Sequence, residues 1–427
     1  MKAWKKFREQ PLTTVYDSTR PALYSPTGQA TFPSMNVNVR QKSIKKRYGY
    51  ETTVTGKSDM EIQIVANYQQ ADGTVKCCFL DGEDLMVKET ASGKTYSYRT
   101  PNYTTGTIDS ITGTTVEGDS TDWATAAIAA GDYFIMDDDH TTDVENDANW
   151  VKVASLTDLN TLELASAYTK NGTDYKLRQV YSVPTDERWV YTVAHDKFIF
   201  SNGNENVQYW DGTASKATAL DSTNAVKARC LITYANRLIM ADSYISATRE
   251  PYTLSWSKEG DPTDWTDPTA GSVDFIETHG ILKGLGKVGS KLIVYRENSI
   301  VFGQRTGEAE IPIVFPTEKI GVGLLAPYSL MHVEGTNVFR GTDDFYMIVG
   351  DNPEPIGEPI REIFDDQVDE EMARNIFGIW DSYRNRVLWF SQTLDYGQVV
   401  WVWDYKEDSW ATFKFHDVIT GGGVGAI

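Results

Sequence analysis

The stretch NRLIMADSYISATREPYTLSWSKEGDPTDWTDPTAGSVDFIETHGILKGLGKVGSKLIVYRENSIVFG, residues 236–303, decides the fold. It reads as strand, loop, strand, and then the same again. Leu238-Ile239-Met240 and Leu292-Ile293-Val294 are short apolar cores. Each is introduced by a polar hairpin, Tyr234-Ala235-Asn236-Arg237 or Val288-Gly289-Ser290-Lys291, of the kind that joins adjacent antiparallel strands. A second strand follows each core, over 252–257 and 299–303. Between them, Gly260-Asp261-Pro262-Thr263-Asp264-Trp265 combines a Pro of fixed φ, carboxylates able to accept from turn amides, and a Trp able to fold back over the turn. The sequence predicts a rigid loop here.

Outward from this stretch the unit repeats. With the apolar strand beside each hairpin as a marker, Phe198, Leu238, Leu292, Val338 and Val387 lie 40, 54, 46 and 49 residues apart. That is about the length of a four-stranded propeller blade. Cys77 precedes Phe198 by 121 residues, but removing the 76 residues 104–179 leaves 45. The last unit is legible entire, with strands over 375–380, 386–391, 399–405 and 410–415. Its Val399-Val400-Trp401-Val402-Trp403 is apolar on both faces and belongs between neighbouring sheets. The expected fold is all-β, a β-propeller of about six blades near 48–103, 180–222, 226–277, 278–321, 322–370 and 371–420, with five or seven also compatible. The strongest helical signal, 362–375, is short and acidic.

Residues 104–179 shift to Thr, Asp, Ala and Gly, with short strand patterns at 105–108, 114–116, 131–136, 150–154, 161–164 and 175–178. They predict a small closed β-barrel inserted into the propeller of 48–103 and 180–427. Before residue 48, Pro11, Pro21, Pro26 and Pro33 interrupt any apolar period, so 1–47 read as an extended N-terminal arm.

The 427 residues, 41% of them apolar, can bury a large core, and 12 Trp, 23 Tyr and 16 Phe favour strands. No run of 18 apolar residues occurs, and the N-terminus lacks a signal pattern, which together point to a protein made in a cytoplasm and not inserted in a membrane. Cys77, Cys78 and Cys230 are spaced for buried thiols and not for a disulfide framework. The net charge of −20 is uneven. Residues 1–50 carry ten Lys and Arg against Glu9 and Asp17, a balance of +8, which leaves −28 on the remainder. So acidic a body argues against gripping nucleic acid, since affinity for phosphate comes from cations that displace counterions. It suits a surface past which DNA slides, and equally a body kept soluble by its charge. The basic arm, with Lys42, Lys45, Lys46 and Arg47, is a candidate contact with a neighbouring acidic subunit or with DNA phosphates. It reads as readily as a solvated basic turn.

Catalytic patterns are scarce. Neither a phosphate-loop motif nor a G-x-S-x-G elbow occurs. Gly284-Leu285-Gly286-Lys287-Val288-Gly289 matches G-x-G-x-x-G, but a strand follows it where a dinucleotide site needs a helix, so it reads as a hairpin. His140, His195, His279, His332 and His416 stand at no metal-pair spacing. The acidic run Asp137-Asp138-Asp139-His140 with Asp143, Glu145 and Asp147 offers hard oxygen ligands but lacks the Gly and distal Glu of a calcium loop. A solvated loop is favoured over a cation site on Asp137, Asp139 and Asp143. No cofactor is called for.

The WSKEGDPTDW loop and the LIVYRENSIVFG strand pair after it resemble the β-propeller virion proteins of short-tailed bacteriophages, the tail nozzle or packaged-DNA stabilisation family, over about 31–415. Thr161-Leu162-Glu163-Leu164-Ala165-Ser166-Ala167-Tyr168 is similar to the compact barrel modules of phage tail and neck proteins. The resemblance implies a non-enzymatic ring subunit of the virion tail, commonly a hexamer. Such a ring extends the portal and adaptor channel that holds packaged DNA and conducts it during ejection, and meets tail fibres or the tail tip. Within that reading the basic arm is the expected subunit contact and the 258–268 loop, with Asp261 and Trp265, the expected constriction. The alternative is a propeller that binds, or less readily hydrolyses, carbohydrate at the host surface.

Overall fold

The computed structural model describes residues 62–88, 103–137, 150–169, 172–213, 216–221, 226–245, 248–415 and 419. It also gives the backbone of 14–17, 29–32, 37–40, 43–46 and 95–97. The protein is almost entirely β, built mainly from antiparallel sheets. Six of these are four-stranded meanders in chain order. Sheet I comprises Ile64–Gln69, Val75–Leu80, Leu85–Lys88 and Thr95–Ser97. Sheet II comprises Val190–Ala194, Lys197–Ser201, Gln208–Trp210 and Thr218–Ala219, and sheet III Lys227–Tyr234, Arg237–Ile245, Thr248–Trp256 and Gly271–Asp274. Sheet IV runs through Leu282–Val288, Lys291–Arg296, Ser299–Arg305 and Ile313–Ile320, and sheet V through Met331–Val333, Thr336–Arg340, Phe345–Val349 and Asn352–Pro355. Sheet VI holds Phe377–Asp381, Arg386–Thr393, Gly397–Asp404 and Ser409–Phe413. All six marker positions fall on the second strand of their sheets.

Tight hairpins join first and second strands. In sheet III, Tyr234 pairs directly with Arg237, and Ala235 and Asn236 take φ of 49° and 64°. Both central residues are left-handed, which matches the twist of the flanking strands.

Second strands are apolar on both faces, and their alternation decides which sheet meets which. Leu238 and Met240 pack with Ile199 and Val207 of the sheet II region, whereas Ile239 and Ala241 pack with Leu292 and Val294 of sheet IV. Ile293 and Tyr295 turn the other way, toward Phe339 and Ile348 of sheet V. Sheet V meets sheet VI through Phe345, Trp389, Trp401 and Trp410, with Ile363 and Phe364 inserted between them. Sheets I and II share Tyr68, Cys78, Phe198, Phe200 and Trp210. Val399 to Trp403 are all buried, as their two-faced apolar pattern requires.

The helical signal at 362–375 resolves into two short helices, α1 (Arg361–Gln367) and α2 (Glu370–Arg374). Val368 is extended between them, and the Asp369 carboxylate accepts from Met372 N at 2.8 Å to start the second.

Residues of the insert form one six-stranded array in the order Tyr175–Arg178, Tyr133–Met136, Val151–Leu156, Thr161–Leu164, Thr115–Asp119, Thr107–Thr112. All six expected strands are present, two with their expected limits. The edges curl together, since Ile108 N donates to Thr173 O at 2.8 Å and Tyr103 exchanges backbone bonds with Leu177. The insert has its own core, with Trp123, Phe134, Leu162 and Leu177 fully buried. It is tied to sheet I through Glu83, which accepts from Tyr133 Oη at 2.9 Å and pairs with Lys152 at 2.8 Å.

Within 1–47, the described parts of the expected extended arm hold two short ladders. Thr14–Asp17 runs parallel to Gln29–Phe32, and Val37–Arg40 antiparallel to Ser43–Lys46. Thr14–Asp17 and Val37–Arg40 lie against the outer strand of sheet VI.

Candidate functional site

First strands of all six sheets converge. Residues 63–65, 188–192, 229–232, 283–287, 327–328, 330–332, 337 and 377–380 line one cavity of about 570 Å³, within the range of ligand pockets. A second cavity of about 360 Å³ adjoins it, with Arg229, Lys283 and Tyr328 lining both.

Local strand chemistry places the charged groups here. In sheet III the register slips between Ala241 and Ser243, and Asp242 adopts φ 49°. A bulge of this kind re-aims one side chain, and Asp tolerates the left-handed region. The buried Asp242 carboxylate accepts two bonds from Arg249, both at 2.8 Å, and lies 3.4 Å from Arg229. Arg229 also pairs with Glu187 at 2.5 Å. Glu187 accepts from Tyr328 Oη at 2.8 Å, and that oxygen accepts from Arg188 N at 2.9 Å. The network thus runs from sheet III to the entry of sheet V through the segment leading into sheet II. Arg188 then lies over the Phe377 ring of sheet VI at 4.1 Å. Burial raises Glu187 above its ordinary value, opposed by Tyr328 and Arg229, and burial with the Glu187 charge holds Tyr328 well above its own. These groups stitch sheets together, and the two carboxylates face cations and a phenol.

At the other end, the glycines of GLGKVG show their purpose. A Cβ on Gly284 would sit 2.6 Å from Leu324, and one on Gly286 2.0 Å from the Asn337 amide. The strand therefore presses its glycine face on sheet V and turns Leu285 and Lys287 to the cavity. Hydrogen bonding assigns the Asn337 amide nitrogen to Lys287 O at 3.0 Å and His332 Nδ1 at 3.1 Å, with its oxygen accepting from Tyr295 Oη at 2.9 Å. Neutral His332 then carries its proton on Nε2. Lys287 reaches cavity solvent while ringed by protein, and that partial burial lowers its pKa.

The 258–268 loop lies between the third and fourth strands of sheet III and contributes no residue to the large cavity. Its sequence is a threefold Asp-x-Thr repeat. Asp261 accepts from Thr263 N and Oγ1, Asp264 from Thr266 N and Oγ1, and Asp267 from Thr269 N and Oγ1. Lys258 joins Asp264 and Asp267 at 3.4 and 3.2 Å. Trp265 donates to Pro262 O at 3.1 Å and packs on the core between sheets II and III. Arg237, 1% exposed, clamps the loop from below by donating to Ser257 O and Thr269 O, each at 2.8 Å, and to Ala309 O at 3.2 Å. The loop is rigid, and both of its singled-out residues are used in bracing it.

Lys45 and Lys46 stand on the Ser43–Lys46 strand, while Lys42 and Arg47 lie outside the described residues. Asp137 pairs with Lys176 at 2.5 Å, and Asp139 and Asp143 lie outside the described residues. Sequence reading missed Glu187, Arg188, Arg229, Asp242 and Tyr328. The signal it could have used is charge in a first strand, as in Lys283-Gly-Leu-Gly-Lys287, where alternation must point the charges to an axis.

No protein-family model and no curated protein matches the sequence. Among solved structures, the computationally designed Ika8 protein is similar at 10% identity, covering 86% of this chain and 90% of its own, with a TM-score of 0.39. A chain of the mitotic checkpoint complex is similar at 10% identity over 91% of this chain and 93% of that one, TM-score 0.39. The extracellular domain of a hybrid two component system from B. thetaiotaomicron follows at 10% identity, 81% of this chain, 38% of that one and a TM-score of 0.34. These scores carry no argument about function.

Proposed function

We propose that the six sheets are the blades of a β-propeller, and that the protein is a structural ring subunit of the tail of a short-tailed bacteriophage. In this role it extends the portal and adaptor channel that retains packaged DNA and conducts it during ejection. The observation that carries the reading is the use made of the axial charges. Glu187, Arg229, Asp242, Arg249 and Tyr328 are spent on one another across sheets, an arrangement that stiffens a scaffold and leaves its carboxylates neutralised. The braced Asp-x-Thr loop and the clamp at Arg237 support the same reading, since a conduit must hold its shape under load. So does the balance of −28 outside the first fifty residues, which repels DNA in transit. In this reading the basic arm, of which Thr14–Asp17 and Val37–Arg40 lie on the outer strand of sheet VI, is the contact with a neighbouring subunit.

Native mass spectrometry of the protein with and without residues 1–50, at low and high salt, tests this. A closed oligomer that dissociates on removing the arm or raising salt is the expected result. A monomer under all conditions, with or without the portal and adaptor proteins, overturns it. The alternative of host-surface carbohydrate binding is favoured by Tyr191 and Trp380, aromatic surfaces that line the axial cavity. Retention of the monomer on host glycans would establish it.

A further inference from the structure

Among the described residues the large cavity is lined by Arg188, Arg229, Lys283, Lys287 and His332 and by no Asp or Glu, in a chain of net charge −20. The rest of its wall is largely apolar or aromatic, including Leu285, Met331, Ile379 and Trp380. Its cations are not equivalent. Arg229 is neutralised by Glu187 and Asp242, Lys283 lies 3.7 Å from Glu297, and Arg188 covers Phe377. Lys287 has no ion-pair partner among the described residues, and burial is the sole influence on its titration. Beside it, through the shared Asn337 amide, His332 presents Nε2–H as a second donor.

We infer that this cavity binds a small organic anion, a carboxylate or phosphate head on an apolar or ring-shaped body. The head sits at Lys287 and His332, and the body lies along Leu285 toward Trp380. Lys287 and His332 are both exposed to the cavity solvent, and an anion seated between them gains charge-assisted hydrogen bonds that neither finds on the wall. An apolar wall adds affinity in proportion to the area it covers. Leu285 is two residues from each lysine on one strand, and Lys283 and Lys287 stand roughly 12 Å apart along it. The head therefore has a cation at one end of the cavity, and the body has room to lie along the wall. This inference stands apart from the ring reading, since a site within one chain needs no oligomer.

The test is titration of the full-length protein with 2-naphthoate, 2-naphthyl phosphate, neutral 2-naphthalenemethanol and inorganic phosphate, followed by calorimetry. One naphthyl anion is expected to bind per chain, with the alcohol and inorganic phosphate each at least about tenfold weaker. The stronger of the two naphthyl anions identifies the preferred head. Lys287→Gln is expected to lower anion affinity about tenfold while leaving the weak alcohol binding as it is. Leu285→Trp, which fills the wall, is expected to abolish both. Lys291→Gln, which breaks the pair with Asp351 outside the cavity, serves as the control and is expected to bind as the parent does. Near-ultraviolet circular dichroism establishes that each variant is folded. Equal binding of anion and alcohol, or anion binding unaffected by Lys287→Gln and Leu285→Trp, overturns the inference. So does the lack of any binding by the folded parent at about 1 mM, the weak limit of a small specific site.

Discussion

Two buried arginines show what single residues contribute to this fold. Arg237 and Arg296 are each 1% exposed, on the second strands of sheets III and IV. Each spends its guanidinium on loop carbonyls, Arg237 on Ser257, Thr269 and Ala309, and Arg296 on Phe275 and Gly280 with Glu318 at 3.1 Å. A guanidinium reaches several carbonyls at once because its donors are fixed in a plane. Arg237→Met is expected to cost about 3–5 kcal/mol in urea unfolding, since it strands buried carbonyls. Arg237→Lys should recover only a small part of that, because an ammonium cannot span all three. Gly286→Ala tests the reading of GLGKVG. Its Cβ would meet the Asn337 amide at 2.0 Å, and an overpacking loss of about 1–3 kcal/mol in the same measurement is expected. A neutral result would mean that sheets IV and V are less closely packed than the glycines require.

At the scale of elements, the Asp-x-Thr loop carries its own pH dependence. Asp261, Asp264 and Asp267 all titrate below the usual carboxylate value, Asp267 at about 2. The causes are hydrogen bonds from the following Thr residues, and for Asp264 and Asp267 also Lys258. A carboxyl whose folded pKa is depressed stabilises the fold fully above its unfolded pKa, and that contribution is lost as pH falls through the folded value. Hydrogen exchange of peptides spanning 258–270, corrected for the intrinsic rate, should show protection that holds down to about pH 4 and fades toward pH 2. Protection unchanged to pH 2 would mean that Pro262, Pro268 and the Arg237 clamp alone fix the loop. The hairpins behave differently, because Ala235 and Asn236 hold their turn by backbone conformation and have no titratable part in it.

For the whole molecule, the six sheets are coupled through shared cores, whereas the insert is self-contained. Tyr103 and Leu177 exchange backbone bonds at 2.7 and 2.9 Å, so the two ends of the insert lie about one strand spacing apart. Replacing 103–178 by a short Gly-Ser linker is therefore expected to leave the six sheets folded, with a fall in Tm of no more than about 4 °C from losing the contacts at Glu83. Collapse of the cooperative transition in calorimetry would show that the insert is part of the main core. The network of Glu187, Arg229 and Tyr328 is the opposite case. Tyr328→Phe removes its bond to Glu187 and the acceptor of Arg188 N, and should cost about 1–3 kcal/mol of global stability. Its effect should extend to sheets II and V together.

The sequence by itself determined the all-β class, a repeating unit of about four strands, and the separate pattern of 104–179, while the count of six sheets came with the structure. Those features are written in short-range signals: turn residues at hairpins, two-residue alternation, and second strands such as Leu292-Ile293-Val294 that are apolar on both faces. Composition also made clear that the charge is divided between a basic beginning and an acidic remainder. Only the tertiary structure decided what the charged residues do. Glu187, Arg229, Asp242 and Tyr328 lie far apart in the chain and mean nothing until first strands converge, and Asp242 stands at a bulge where it meets Arg229 and Arg249. Lys287 looks like any hairpin lysine until Gly284 and Gly286 press their strand on Asn337 and turn it into the cavity. Trp265 folds back on its own turn as its sequence suggests, but that it also lies on the core between sheets II and III is set by the packing of the sheets. The physical reason is common to all of these. Hydrogen-bonded turns and strand alternation are set by neighbours in sequence, whereas desolvation and ion pairing depend on distances that only the packing of the sheets creates.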